Sequence, residues 1–176
     1  MKFLTRASRL LAMAAASLTL AVSCSSQVKA KKFVSYQHQP GRTAALSGGM
    51  AYAPSGAPAA VRRAIEAGNR LQSKPYRYGG GHGSNVDSGY DCSGTASYVL
   101  REAGLLRGSM PSKGFMKYGK KGYGKWITVY ARKGHVFLTV AGLRLDTGGS
   151  GNRGPRWKPE TRKVPGGTVV RHPAGL

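Results

Sequence analysis

Acidic residues are scarce in this sequence. Asp and Glu together number 6 among 176 residues, against 28 Lys and Arg, and the formal net charge is +22. A protein of this charge attracts polyanions, while the simpler alternative is a solvated basic surface that serves solubility. Because carboxylates are so few, each is a candidate for a specific role. The six are Glu66, Asp87, Asp91, Glu102, Asp146 and Glu160.

Cysteine is nearly absent as well. The chain has two, Cys24 and Cys92, and if Cys24 is modified no disulfide framework can form. The 4 histidines and the cysteines show no zinc-ligand spacing. We therefore expect no metal and no cofactor.

Long apolar runs are missing except at the N-terminus. Three basic residues precede an unbroken run of apolar and small residues from Leu10 to Val22, which is too short to span a bilayer as a mature helix. The pattern predicts a signal peptide over residues 1–24. Its end resembles a bacterial lipoprotein signal, in which Cys24 is lipidated; ordinary cleavage after Ser23 is the alternative.

Either form of cleavage exports the protein, which narrows its partners. The polyanions outside the cytoplasm are envelope phosphates, teichoic acids and lipid head groups, and nucleic acid is not expected. A lipid on Cys24 would anchor the N-terminus to a membrane, whereas ordinary cleavage predicts a periplasmic or extracellular protein. If Cys24 carries lipid, Cys92 is the only thiol left in an oxidising compartment, and such a thiol is a candidate nucleophile.

The exported chain divides into two parts. Residues 25–58 are rich in Ser, Ala, Gly, Gln and Pro without a sustained period, which predicts a flexible tether. Residues 59–176 are enough for one domain. It opens with a helical pattern over residues 59–73.

The domain is organised around Asp91-Cys92-Ser93-Gly94, which follows a glycine-rich loop. An apolar stripe predicts a helix after it, formed by Ala96, Val99, Leu100 and Ala103. Asp91 is a good N-cap, so Cys92 is expected at the first helical position. The helix dipole favours an anion there, and the thiolate is the nucleophilic form of cysteine. The alternative is a cysteine that packs as a small hydrophobe.

A hairpin near the C-terminus supplies a histidine and an acid. Strands over residues 135–140 and 143–147, joined by Ala141-Gly142, place their apolar side chains on one face. His135 and Asp146 then share the other face as diagonal neighbours, roughly 7–8 Å apart between backbones. A cysteine, a histidine and an orienting acid are the parts of a nucleophilic site. Further strands are expected over residues 126–130 and 168–172.

The motifs together resemble a known family, the NlpC-type papain-like cysteine peptidases of bacterial cell walls. The residues that carry the resemblance are Pro75-Tyr76-Arg77-Tyr78-Gly79-Gly80, Asp91-Cys92-Ser93-Gly94, and Gly134-His135-Val136 followed by Asp146. The resemblance implies an α+β, papain-like fold in which the nucleophile helix packs on a small antiparallel β-sheet.

Site roles also follow from the resemblance. It implies that Cys92 is the nucleophile, His135 the base and Asp146 the third polar residue. It further implies that the Tyr76 hydroxyl helps to hold the oxyanion, and that Asp91 and Ser93 receive the free amino group of a stem peptide.

The implied activity is hydrolysis of peptidoglycan stem peptides, typically between γ-D-glutamate and the diamino acid. Two alternatives stay open. One is a binding module with weak or lost turnover that holds the wall through its charge. The other is an acyltransferase or amidase that uses the same Cys-His pair. Two further residues have open interpretations. His82 in the glycine loop either lines the cleft or, as we favour, is a surface loop position. Trp157 is either a substrate contact or a buried anchor.

Overall fold

The computed structural model describes residues 33–83, 86–149 and 153–176. The predicted signal peptide and Cys24 lie outside these residues. In chain order the elements are β1 (Phe33–Val34), β2 (Ala45–Ser47), β3 (Met50–Tyr52), α1 (Ala59–Arg70), α2 (Cys92–Glu102), α3 (Ser112–Phe115), β4 (Lys120–Lys121), β5 (Ile127–Arg132), β6 (His135–Val140), β7 (Leu143–Asp146), β8 (Arg156–Lys158), β9 (Arg162–Lys163) and β10 (Val169–His172).

A six-stranded antiparallel sheet lies at the centre of the molecule. Its spatial order is β4-β10-β5-β6-β7-β8, while β1 pairs with β9 and β2 with β3 in two small ribbons. Helices α1 and α2 pack against each other, and α2 packs on β6. The described residues thus form a mixed α/β fold with a small antiparallel sheet and few helices. This agrees with the coarse fold class expected from the sequence.

The predicted hairpin is confirmed in its register. Val140 pairs with Leu143 and Leu138 with Leu145 across β6 and β7. Both turn residues have positive φ, 44° at Ala141 and 81° at Gly142, which is the two-residue type I′ turn that suits a twisted hairpin. The apolar face lies in the core beneath the helices. Its members there are Val136, Leu138, Val140, Leu143 and Leu145.

The opposite face of the sheet has a small apolar cluster of its own. Phe137 stacks on Tyr130 with ring centroids 4.7 Å apart, and Val34, Val164 and Val170 complete the cluster. Because this face is only partly covered, it can hold polar side chains at its edges. His135 and Asp146 extend from it.

The segment expected to be a tether is corrected for residues 33–58. Ala44 and Ala51 are fully buried in the core. The Asn69 side chain on α1 bonds both backbone groups of Ala51, and the Ala44 amide donates to the Ala141 carbonyl. Strands of 2 or 3 residues are too short to show an alternating pattern, which is why composition alone suggested a tether.

Candidate active site

Cys92 is the first residue of α2, as predicted. Asp91 is the N-cap, with extended backbone, and its Oδ1 accepts a hydrogen bond of 2.7 Å from the Gly94 amide. Cys92 is a free thiol of intermediate exposure. The helix ends before Gly104, which has φ 75° and takes the left-handed conformation that terminates helices. The thiol therefore lies where the positive end of the helix favours an anion.

The glycine loop is packed tightly onto the start of α2. The Asp91 amide donates to the Gly80 carbonyl (3.2 Å), and the Gly79 amide donates to Asp91 Oδ2 (3.0 Å). A Cβ atom built on Gly94 would overlap the Gly80 carbonyl. Only glycine allows the two backbones to approach this closely, so the loop fixes the rim of the site around Cys92.

The hairpin brings His135 and Asp146 together. His135 Nε2 lies 3.0 Å from Asp146 Oδ1, and the Asp146 side chain is fully buried. The same oxygen accepts from the Gly148 amide at 2.7 Å. Because Asp146 engages Nε2, Nδ1 is the ring nitrogen left for the thiol. The predicted partnership of a histidine and an acid is present in the described structure.

Two arginines hold the other oxygen of Asp146. Arg144 Nη1 lies 2.9 Å and Arg162 Nη1 3.0 Å from Oδ2. Burial by itself raises the pKa of Asp146, but the hydrogen bond from His135 and the charge of Arg162 outweigh it, so the pKa lies below its usual value. Asp146 is thus an ionised, fully buried carboxylate that holds the imidazole in one orientation.

His135 carries a strongly raised pKa. Burial lowers it, but the hydrogen bonds with Asp146 and with the Cys92 thiol outweigh burial and raise the pKa to about 9. The ring is therefore protonated at neutral pH. A neighbouring imidazolium favours the thiolate form of a cysteine. The structure thus brings Cys92, His135 and Asp146 into one connected group.

Tyr76 lies at the same site. It forms a parallel bridge with Tyr90, in the residues that lead into α2. Burial is the main cause that raises the pKa of Tyr76, and the negative charges of Cys92 and Asp91 add to it. The hydroxyl therefore keeps its proton and can donate a hydrogen bond.

Asp91 and Ser93 are close together but already have a partner. Ser93 Oγ donates to Asp91 Oδ1 (3.0 Å), and His82 Nε2 lies 3.1 Å from both side-chain oxygens. The interpretation of His82 as a surface position is thus corrected, since the loop turns it onto this pair. The His82 imidazole thus lies where the resemblance implied an amino group.

Several contributors were not found by reading the sequence. Arg144 and Arg162 support Asp146 although they lie on different strands. The alternation that puts Arg144 on the same face as Asp146 could have indicated its role. Arg162 had no such signal, because it lies on the two-residue strand β9, whose position only the tertiary fold determines. Trp157 is the buried anchor that was one of its two interpretations, and its Nε1 donates to Asn69 Oδ1 at 2.8 Å.

No protein-family model matches this chain, and a comparison with curated proteins finds no match either. Within the described residues, no helix is long and apolar enough to cross a membrane. In the same residues, no three His, Cys, Asp or Glu side chains form a group that could hold a metal ion.

Proposed function

We propose that this chain is an exported cysteine peptidase with a papain-like site that hydrolyses peptidoglycan stem peptides. The observation that carries the proposal is the connected group at the start of α2. Cys92 lies at the helix N-terminus, and its partner His135 has a pKa of about 9 and is held by the buried Asp146. A nucleophile, a proton carrier and an orienting acid are the parts that acyl transfer requires.

The first half of the reaction forms an acyl-enzyme. The Cys92 thiolate attacks the amide carbon between γ-D-glutamate and the diamino acid, a C–S bond forms, and the carbonyl electrons move to oxygen. The Cys92 amide and the Tyr76 hydroxyl are donors for this oxyanion. The C–N bond then breaks, and the leaving amine takes the proton from the His135 imidazolium.

The second half restores the enzyme. Neutral His135 accepts a proton from water while the water oxygen attacks the thioester carbon. The C–S bond breaks, the free acid leaves, and Cys92 returns to the thiolate beside a protonated His135. Water is the only co-reactant, so the products together exceed the substrate in mass by one water.

The substrate assignment rests on the motifs and on the expected export. The cleft also holds a carboxylate and a hydroxyl, Asp91 and Ser93, of the kind that would bind an ammonium group. For a stem peptide to bind there, its amino group must displace His82 from that pair. An ammonium group would then make a charge-assisted hydrogen bond to the pair in place of the imidazole.

The experiment incubates the full-length protein, kept soluble in a mild detergent, with purified peptidoglycan and follows released fragments by mass spectrometry. Cys92→Ala and His135→Gln test the site, and His38→Gln is the matched control because His38 is exposed and remote from Cys92. We expect fragments that have gained one water at the γ-glutamyl bond, from wild type and His38→Gln only.

Other outcomes separate the remaining functions. Fragments joined to an acceptor other than water would identify an acyltransferase. Loss of a terminal amide instead of an internal bond would identify an amidase. No fragments, with wild type and Cys92→Ala both sedimenting with the wall in a salt-sensitive manner, would assign a binding module and overturn the peptidase.

A further inference from the structure

A basic pocket lies next to Asp146, between the β7–β8 edge of the six-stranded sheet and β9. Its volume is about 540 Å³. Six cationic side chains line it and define what we term the arginine pocket: Arg144, Arg153, Arg156, Lys158, Arg162 and Lys163. The sole carboxylate among its lining residues is Glu160, whose side chain is 71% exposed.

The strand register places two of these cations directly opposite each other. Arg144 on β7 pairs directly with Lys158 on β8. Like charges opposite each other on neighbouring strands destabilise a sheet. The fold nevertheless places the two cations Arg144 and Lys158 opposite each other.

Asp146 accounts for only part of this charge. It is bonded to Arg144 and Arg162. In the described part of the chain, which includes every acidic residue of the sequence, the other four cations form no ion pair. The buried Nε atoms of Arg144 and Arg162 also have no hydrogen-bond partner among the described residues. The arginine pocket therefore has more positive charge than Asp146 balances and more hydrogen-bond donors than Asp146 accepts from.

Two cations of the pocket have a lowered pKa. For Lys158, burial is the main cause; the carboxylate of Asp146 opposes the shift and the guanidinium of Arg144 adds to it. Burial likewise lowers the pKa of Arg156, and the charge of Arg153 contributes. An anion bound in the pocket would favour the charged forms of both side chains.

We propose that the arginine pocket binds a phosphate-class oxyanion. Planar guanidinium groups bond tetrahedral and planar oxyanions through two parallel hydrogen bonds. A single carboxylate would leave most of the six cations uncompensated, whereas a phosphate or a run of phosphodiesters supplies several charges and acceptor oxygens in the available volume. The source is either a free phosphate or a phosphodiester-linked polymer.

The arginine pocket adjoins the Cys92 site but does not contain Cys92. Arg144 and Arg162 line the pocket and bond Asp146 Oδ2, and the Lys158 ammonium donates to the Gly148 carbonyl at 2.8 Å. Binding of an anion in the pocket breaks no covalent bond and does not need the thiol. It can be measured in Cys92→Ala, so its success or failure is independent of the proposed peptidase.

The test is calorimetric titration of the full-length Cys92→Ala protein in mild detergent at low salt. One probe is inorganic pyrophosphate and the other is poly(glycerol phosphate). The rim variant Arg153→Gln/Lys163→Gln removes two exposed charges whose side chains make no hydrogen bond among the described residues, so folding is spared. Lys113→Gln/Lys117→Gln is the matched control, because it removes the same amount of charge. Both lysines are exposed and lie outside the pocket.

We expect saturable binding of at least one probe, weakened about tenfold or more in the rim variant and less than about twofold in the control. Binding of both probes assigns the pocket to the phosphate group itself, and binding of the polymer alone assigns it to a phosphodiester chain. Binding of neither probe, or an equal loss in the rim and control variants, overturns the proposal.

Discussion

His135 links the candidate site to the stability of the fold through its proton. Its pKa rises from 6.5 to about 9 on folding, so the folded state holds the proton more tightly than the unfolded state. This stabilisation is complete below pH 6.5 and is lost as the pH rises through about 9. It amounts to about 3 kcal/mol, since one pKa unit corresponds to about 1.4 kcal/mol.

The prediction concerns the free energy of unfolding at pH 6 and pH 9.5, measured by chemical denaturation. Wild type should lose up to about 3 kcal/mol more than His135→Gln over this interval. The difference between the two losses isolates the contribution that depends on His135, because groups that do not interact with His135 titrate equally in both proteins. An equal loss in both proteins would show that His135 does not hold its proton in the folded state.

Asp146→Asn tests the orienting acid. The amide keeps the shape of the carboxylate but removes the charge that helps to raise the pKa of His135. Because activity needs the imidazolium, the proposed peptidase should lose activity above about pH 9, and the variant should lose it at a lower pH. We also expect kcat/KM to fall by about 10²-fold.

Glu160→Gln is the control for that pH profile. Glu160 also contacts Arg144, but its side chain is 71% exposed, so its charge is screened by water. Its profile should follow wild type. A profile of Asp146→Asn that matches wild type would remove Asp146 from the mechanism.

Gly148→Ala tests how finely His135 is positioned. A Cβ at Gly148 would lie 3.1 Å from His135 Cε1 and 3.2 Å from Nε2, so the ring must shift by a few tenths of an ångström. We expect kcat to fall about tenfold with KM nearly unchanged, since small displacements of a reacting group are costly. In the control Gly166→Ala, the added Cβ meets nothing within 4 Å, and the protein should behave as wild type. An equal fall of kcat in the control would show that the loss does not come from a displaced His135.

The sequence predicted Cys92, His135 and Asp146 as a group because their positions follow from local rules. Capping places the cysteine, and alternation places the histidine and acid on one face. The partners of those residues could not be predicted in the same way. Arg162 comes from a two-residue strand and His82 from a glycine loop, so only the tertiary fold determines what they contact.

Among the elements, α2 and the β6–β7 hairpin were predicted well because each is long enough to show its period. The last strand was also expected, over residues 168–172, and is β10 (Val169–His172). By contrast, no helix or strand was expected where α3, β8 and β9 lie. They are 2 to 4 residues long and lie among Gly, Pro and basic residues, so no periodicity can develop.

The contact between the glycine loop and α2 gives a prediction for these two elements. Ala is favoured over Gly in a helix by about 1 kcal/mol, but a Cβ at Gly94 would overlap the Gly80 carbonyl. We expect Gly94→Ala to lower the free energy of unfolding by about 2 kcal/mol. Gly83→Ala, in the same loop, meets nothing within 4 Å and should change it little. A stabilised Gly94→Ala protein would show that the loop is not held against the helix.

At the scale of the whole molecule, the distribution of the positive charge matters as well as its total. A net charge of +22 spread evenly would only attract polyanions in general. The fold instead gathers six cations from β7, β8, β9 and the residue Arg153 before β8 around one pocket beside the buried Asp146. Composition alone could predict the attraction but not this location, because the tertiary fold determines it.

The folded unit also extends further toward the N-terminus than composition suggests. Residues 33–58 fill part of the core through Ala44 and Ala51, and Ala51 holds the Asn69 side chain of α1 through two hydrogen bonds. Removing them exposes apolar surface of the core and breaks the two hydrogen bonds between the Asn69 amide and Ala51, so that the amide is left with the bond from Trp157 Nε1. We therefore expect the fragment 59–176 to be less stable than 33–176 by about 3 kcal/mol or more, measured by urea denaturation. In 33–176, Asn69→Ala should reproduce part of the loss, because it breaks the same two bonds, together with the bond from Trp157 Nε1. A tether would contribute nothing to the core, so equal denaturation midpoints for the two fragments would restore the tether interpretation.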